Sequence, residues 1–259
     1  MREEFNRQGF VFRPGLLPQT DARALTEALD SILAREPDDT RLIREKDGTT
    51  PRTLVNPHLW HEVYGRLVRH PVLLDAAEAI LGEPVYAWQM GVNCKAAFAG
   101  DAWFWHQDYP AYRADDHIAA PRMVNTLIFL DEVTSLNGPL MLVPGSQEMA
   151  DNLPDYRDEG TSYTYRYTER ELIEAEVRRA GVAAPTGPAG SVIFMHVNLL
   201  HGSAGNISPW PRRMVTLTYN AISNKATSRS TRPAHIVPDD RDVPALTPLG
   251  ADCLAGATT

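Results

Sequence analysis

From Pro84 onward the chain breaks into short runs of Val, Tyr, Trp, Phe, Ile and Thr separated by clusters of Gly, Pro and Asn. β-Branched and aromatic side chains pack well on a pleated surface, and the residues between them make turns, so this texture calls for strands. Strands are predicted over 85–96, 102–107, 123–130, 140–143, 190–195 and 213–223. Short runs at such spacing suit two sheets facing each other around a pocket. The fold class expected is mainly β with flanking helices and a double-stranded β-helix core, jelly-roll and cupin-like.

The first third reads differently. Residues 9–12 form a short extended piece, after which Ala24, Leu25, Ala28, Leu29, Ile32 and Leu33 recur along one helix face behind a Thr20-Asp21 cap. A second helix is predicted over 71–81, stopped by Gly82. The acidic, tyrosine-bearing stretch from Asn152 to Gly160 lacks periodicity and reads either as a lid or as a surface loop. Thr168, with Glu171 three residues on, is predicted to cap a helix over 169–180 with Leu172, Ile173, Val177 and Ala180 as its stripe. The Pro- and Asp-rich tail from Ser228 is expected to run over the surface. Residues 1–259 are expected to form one domain: a helical part over 1–82, a jelly-roll core over 84–225, and the tail.

Charge narrows the partners. There are 25 Lys and Arg against 33 Asp and Glu, a net charge of −8, and no long basic run offsets it. Nucleic acid and anionic membrane are therefore unsuited as partners. Cys94 and Cys253 form no metal-spaced pair, which points away from a disulfide framework and toward a reducing cytoplasm. No apolar run approaches the roughly 20 residues of a membrane span, and the first residues lack the apolar core of a signal peptide. A small-molecule partner is expected, for a monomer or homodimer.

Two segments carry chemistry, Trp103-Phe104-Trp105-His106-Gln107-Asp108 and His201-Gly202-Ser203-Ala204-Gly205-Asn206. They offer two imidazoles and a carboxylate, the set that holds non-haem iron(II) on one face and leaves the opposite positions open. On a strand, His106 and Asp108 would project to the same side, and the fold would have to deliver His201. Arg212 follows His201 by eleven residues. Arg212, Met214, Thr216, Thr218 and Asn220 share one strand face and Arg213, Val215, Leu217 and Tyr219 the other, so only one arginine can face a pocket. An inward guanidinium would offer a bidentate fork to the far carboxylate of a dicarboxylate such as 2-oxoglutarate. His196 reads as a core histidine rather than a ligand, and 137–139 and 144–146 read as turns.

His106-Gln107-Asp108, the run Leu136-Asn137-Gly138-Pro139-Leu140-Met141-Leu142-Val143-Pro144-Gly145-Ser146, and His201-Gly202-Ser203 through Pro211-Arg212 resemble the phytanoyl-CoA-dioxygenase-like (PhyH) superfamily of iron(II)- and 2-oxoglutarate-dependent oxygenases. Within it the likeness is greatest to ectoine hydroxylases. The resemblance implies iron held by His106, Asp108 and His201, and 2-oxoglutarate held through Arg212 with Gln89, Asn93, Asn125 and Ser203. Where those hydroxylases carry an arginine, a tryptophan and an aromatic residue in the substrate pocket, this chain has Gly91, Tyr112 and Thr216. Tyr112, Arg113 and Thr216 are candidate substrate contacts.

The activity implied is hydroxylation, or a related oxidation, of an amino-acid derivative or natural-product intermediate with iron(II), 2-oxoglutarate and O2, releasing succinate and carbon dioxide. One alternative is a zinc hydrolase on the same three ligands, in which Arg212, Gln89 and Asn93 would be idle. The other is a metal-binding jelly-roll without turnover, against which the complete ligand triad speaks.

Overall fold

The structure, a computed structural model, describes residues 1–38, 40–149, 156–157, 165–239 and 241–255. Its strands are β1 (Phe10–Arg13), β2 (Leu42–Arg44), β3 (Pro51–Val55), β4 (Val85–Lys95), β5 (Trp103–His106), β6 (Met123–Phe129), β7 (Met141–Leu142), β8 (Tyr156–Arg157), β9 (Tyr165–Arg166), β10 (Val192–His196), β11 (His201–Ser203) and β12 (Arg212–Ala221). Seven of them build one antiparallel sheet in the order β1-β10-β6-β12-β4-β3-β2, and β5-β11-β7 build a smaller sheet opposite. A cavity opens between the two, lined from β4, β6 and β12 on one side and from β5 and β11 on the other. This is the jelly-roll arrangement the strand texture predicts.

Alternation along β12 decides which side chains see that cavity. Arg212, Met214, Thr216 and Thr218 line it. Val215, Leu217 and Tyr219 point to the opposite face, where they join Leu25, Leu29, Tyr64, Leu73 and Ala77 in a buried core. Those last residues belong to helices α2 (Gln19–Leu33), α3 (Glu62–Leu67) and α4 (Pro71–Leu81), which cover the large sheet. Each such leucine contributes about 1.5–3 kcal/mol by leaving water, so the helices are held to the sheet chiefly by this face. α4 has the predicted bounds and stops at Gly82, whose φ of 79° a side chain would resist.

Several sequence expectations need correction. α2 starts at Gln19 with no side-chain cap; Asp21 instead meets His70 Nε2 at 3.2 Å and ties α2 to the start of α4. Thr168 caps nothing: its N–H donates to Trp105 O, and α6 (Arg170–Ala180) follows Glu169 with every residue of its stripe only half-buried. The β2–β3 hairpin was not predicted; its turn is held by Asp47, whose Oδ1 accepts the N–H groups of Thr49 and Thr50. The short helices α1 (Arg2–Gln8) and α5 (Tyr109–Ala114) are also additions, as is α3. The strand over His201–Ser203 is a further addition. The stretch 152–160 lies outside the described residues apart from β8, which pairs with β9. Among the described residues no helix is long and apolar enough to cross a membrane.

Candidate active site

His106 ends β5 and sits opposite His201 in the β5–β11 ladder, so two neighbouring strands deliver both imidazoles to one point. Their ring centroids are 4.2 Å apart. His106 Nδ1 faces Phe104 O at 2.6 Å and His201 Nδ1 faces Leu199 O at 2.9 Å. Each Nδ1 therefore carries the hydrogen, and each Nε2 is left with its lone pair toward the centre.

Asp108 arrives differently from the prediction. It lies beyond the end of β5 at the N-cap of α5, with φ −79° and ψ −41°. Two adjacent N–H groups, of Asp108 and Tyr109, donate to Val197 O and fix that turn. The carboxylate then stands 3.5 Å from His106 Nε2 and 3.8 Å from His201 Nε2. One donor atom from each of the three lies within 4.8 Å of the others, which is the spacing a single metal ion requires.

Electrostatics favours a cation at this point. Burial alone would raise the Asp108 carboxyl, but His201, His106 and the Asn125 amide outweigh it and hold it below the usual range. Burial, then repulsion from His106, pushes His201 down to about 4, so near neutrality it is an uncharged ligand despite the pull of Asp108. An anionic carboxylate and a neutral imidazole are the protonation states that bind metal.

Arg212 enters the same cavity from β12. It is 2% exposed, donates from Nε to Gly138 O at 3.2 Å and lies 3.4 Å from Ser203 Oγ. Among the described residues no carboxylate pairs with it, and burial pushes it down to about 10. Its neighbour Arg213 turns outward to Asp131 and Asp30. A buried guanidinium without an anion is a costly object unless a ligand supplies one. The donor set at one end and the uncompensated cation at the other thus fit iron(II) and a dicarboxylate.

The remaining predicted residues divide. Gln89, Asn93, Asn125, Ser203, Tyr112 and Thr216 all line the cavity, whereas Arg113 is exposed and does not. Asn125 donates to Asp108 Oδ2 at 2.6 Å, so its partner here is the metal-site carboxylate. Asn93 lies between Thr53, which donates to its Oδ1 at 2.9 Å, and Thr216 Oγ1, to which it donates at 3.2 Å. Gln89 donates to Ile236 O at 3.0 Å. Tyr112 packs edge-on against Trp88 with centroids 4.5 Å apart. Of the three aromatic residues before His106, Trp103 faces in. His196 stays out of the cavity, accepting the Asn198 N–H, as a structural histidine.

Sequence reasoning missed Arg166 and Arg232. Both line the cavity, Arg166 from β9 and Arg232 from the tail that was expected to lie on the surface. Arg166 binds Asp115 at 3.1 Å, and Arg232 Nε binds Asp116 Oδ1 at 2.8 Å. The tail is also tied down by Asn56, which donates to the carbonyls of His235 and Ile236. No periodicity marks such a segment, and Arg229 and Arg241 in the same tail give no sign of which arginine turns inward.

Comparison with known proteins agrees with this geometry. The chain is 34% identical over 260 residues to L-proline trans-4-hydroxylase of Streptomyces griseoviridis, covering 96% of this chain and 95% of that one. It is 32% identical over 247 residues to ectoine dioxygenase of Bordetella bronchiseptica, covering 90% and 80% respectively. Among solved structures it resembles iron-bound EctD from S. alaskensis with a TM-score of 0.83 at 30% identity, covering 96% and 85%. The same enzyme with 2-oxoglutarate and 5-hydroxyectoine gives 0.80 at 29% identity, covering 92% and 82%. Residues 5–214 match the phytanoyl-CoA dioxygenase (PhyH) family, and the chain belongs to it.

Proposed function

We propose that this chain, an iron(II)- and 2-oxoglutarate-dependent dioxygenase, hydroxylates a free cyclic amino acid of about proline's size. The observation that carries the reading is one cavity holding both the His106, Asp108 and His201 donors and the uncompensated Arg212. Iron(II) with 2-oxoglutarate and O2 supplies, when bound, the oxidising power that inserts oxygen into an unactivated C–H bond, with succinate and carbon dioxide released.

The protein's own residues bind, orient and shield. His106 and His201, locked by their Nδ1 hydrogen bonds, and Asp108, held by Asn125, would keep the metal on one face. Arg212 and Ser203 would receive the far carboxylate of 2-oxoglutarate, and its length from that anchor sets where its keto acid meets the metal. Met195, Leu127 and Met214 line the space between and keep water out of it.

Size and charge support the substrate class. The cavity is about 190 Å³, and 2-oxoglutarate takes part of it, which favours a compact second guest. At the substrate end two guanidiniums, Arg166 and Arg232, are each matched by a carboxylate, Asp115 and Asp116. A balanced set of charges suits a zwitterion, whose carboxylate meets arginine while its nitrogen meets the face of Tyr112, which lines the cavity. Gly91 and Thr216 stand where the resemblance places an arginine and an aromatic residue in the ectoine hydroxylases, so contacts that those side chains would make are missing here, which speaks against ectoine.

The test is turnover of L-proline, pipecolate and ectoine with iron(II), 2-oxoglutarate and O2, read as succinate matched by a product heavier by one oxygen. Coupled turnover of L-proline or pipecolate supports the proposal. Coupled turnover of ectoine alone, or succinate without any hydroxylated amino acid, overturns it.

A further inference from the structure

Gly91 sits in the middle of β4, an 11-residue strand paired on both sides, where glycine weakens a sheet. The fold does not call for it. Its φ is not positive, and an added Cβ would meet only Thr53 Cγ2 at 3.4 Å and Leu54 O at 3.7 Å, which are ordinary contacts. A Cβ at Gly100, by contrast, would stand 2.7 Å from Lys95 Cα, so there the backbone itself excludes a side chain. Gly91 alternates with Gln89 and Asn93, and all three line the cavity, so what the missing side chain leaves open is cavity.

Strand register shows what lies beside that opening. Thr216 of β12 and Val55 of β3 are the cross-strand partners of Gly91, and in the next row Thr53 stands opposite both Asn93 and Ile43. Val55, Thr53 and Ile43 line the cavity, while Leu54 turns to the core. The β2–β3 hairpin thus supplies a wall that Gly91 leaves uncovered. Asn56 fixes the wall in place: its Oδ1 accepts from Met90 N, its own N–H donates to Met90 O, and its Nδ2 donates to the carbonyls of His235 and Ile236. One buried residue thereby ties the end of β3 to β4 and to the tail, and brings Ile236 beside the same wall.

We propose that Val55, with the space over Gly91, determines specificity by taking the hydrocarbon face of the substrate ring and setting how many ring carbons fit. This rests on the reading of the substrate as a cyclic amino acid. The charged groups of such a substrate have partners in Arg166, Arg232 and the face of Tyr112, and its methylenes need a surface free of charge. The row Leu127, Thr216, Gly91 and Val55 carries none. Val55 is 5% exposed and cannot swing aside, because β-branching restricts its rotamers and Asn56 holds the backbone beside it. A fixed wall discriminates by volume, and one methylene in an apolar pocket is worth about 10- to 200-fold.

The experiment compares L-proline with pipecolate, which differs by one ring carbon. Each is titrated by calorimetry under nitrogen into the protein loaded with iron(II) and 2-oxoglutarate, for the wild type, Val55→Ala and Gly91→Ala. Val55→Ala enlarges the recess and should raise the affinity ratio of pipecolate to L-proline about tenfold, whereas Gly91→Ala fills it and should lower the ratio about tenfold. A general loss of stability cannot move the ratio in opposite directions. A ratio that stays within about twofold of the wild type in either variant, or moves the same way in both, overturns the proposal. If Val55→Ala does not fold, Gly91→Ala decides alone, since its added methyl makes only ordinary contacts. Failure of the wild type to bind either amino acid would refute the substrate reading itself, before any variant is compared, and the role of the wall with it.

Discussion

Replacing Asn125 with alanine is expected to weaken iron(II) binding by about 10- to 100-fold. Asn125 Nδ2 donates to Asp108 Oδ2 at 2.6 Å, and Thr218 Oγ1 donates to Asn125 Oδ1 at 2.7 Å. The β6–β12 register places Thr218 opposite Asn125, so the amide cannot flip without losing a partner fixed by the ladder. A hydrogen bond to a charged group is worth about 1.5–3 kcal/mol, and about 1.4 kcal/mol is a factor of ten in affinity. Freed of that bond, Asp108 can rotate away from the histidines, and its carboxyl is no longer held as low. The assay is a titration with iron(II) under nitrogen, well below the melting temperature, because the emptied site also leaves the Thr218 hydroxyl unpaired. Thr218→Val should give a smaller loss, since it unlocks the amide without removing it. Unchanged iron affinity in Asn125→Ala, with a raised requirement for 2-oxoglutarate, would refute the reasoning and return Asn125 to the cosubstrate role that the family resemblance implies.

Arg212→Met should abolish tight 2-oxoglutarate binding yet raise the melting temperature of the cosubstrate-free protein, since it removes a buried, uncompensated charge; replacing such groups by apolar ones is worth about 1–4 kcal/mol in favourable cases. Arg213→Leu should do the reverse, costing about 1–3 kcal/mol through its lost bonds to Asp131 and Asp30 while leaving 2-oxoglutarate affinity intact. Gly138→Ala should lower both stability and 2-oxoglutarate affinity, because φ is 73° and the added Cβ would stand 2.8 Å from Ala204 O; equal melting curves would show that the loop yields. For the metal-free protein, His58, His196 and His201 are each pushed down to about 4 by burial, from an ordinary value of 6.5. The unfolded chain then binds more protons between those values, so stability is full above about pH 6.5 and falls as pH drops toward 4, at about 1.4 kcal/mol per pH unit per histidine. Denaturant melts in chelator at several pH values check the slope, and added metal should steepen it, since it holds His201 unprotonated in the folded state to lower pH while the unfolded chain still takes up protons.

What the sequence shows of this molecule is its regular part. β4, β6, β10 and β12 are long enough, and rich enough in β-branched and aromatic residues, to be read directly, and alternation along β12 already sends Arg212 and Arg213 to opposite faces. The metal triad is legible for a different reason: its residue types are few, and their chemistry is narrow. Arg166 and Arg232 are illegible because their positions follow from long-range contacts. Pairing of Asp115 with β9 and of Asp116 with the tail, together with the bonds from Asn56 and Gln89 to the tail, brings them to the cavity. Gln89 makes the same point from the other side, since its type and strand position suit a ligand contact while its amide holds the tail at Ile236.

The distribution of charge along the cavity bears on how 2-oxoglutarate and the proposed amino-acid substrate, which both carry carboxylates, would be kept apart. At its end of the cavity the Arg212 guanidinium has no carboxylate paired with it among the described residues, so it favours the guest of higher negative charge, the dianion. At the far end Asp115 and Asp116 match Arg166 and Arg232, so a dianion gains little there, whereas a zwitterion can exchange partners with either sign. His106, Asp108 and His201 would hold the metal in the same cavity, where Asp108 would balance one of its two charges and leave a net positive charge for the keto acid end of the dianion. Sorting therefore follows from which guanidiniums lack aspartates, and those aspartates sit on the loop after α5, one short helix away from Asp108 itself.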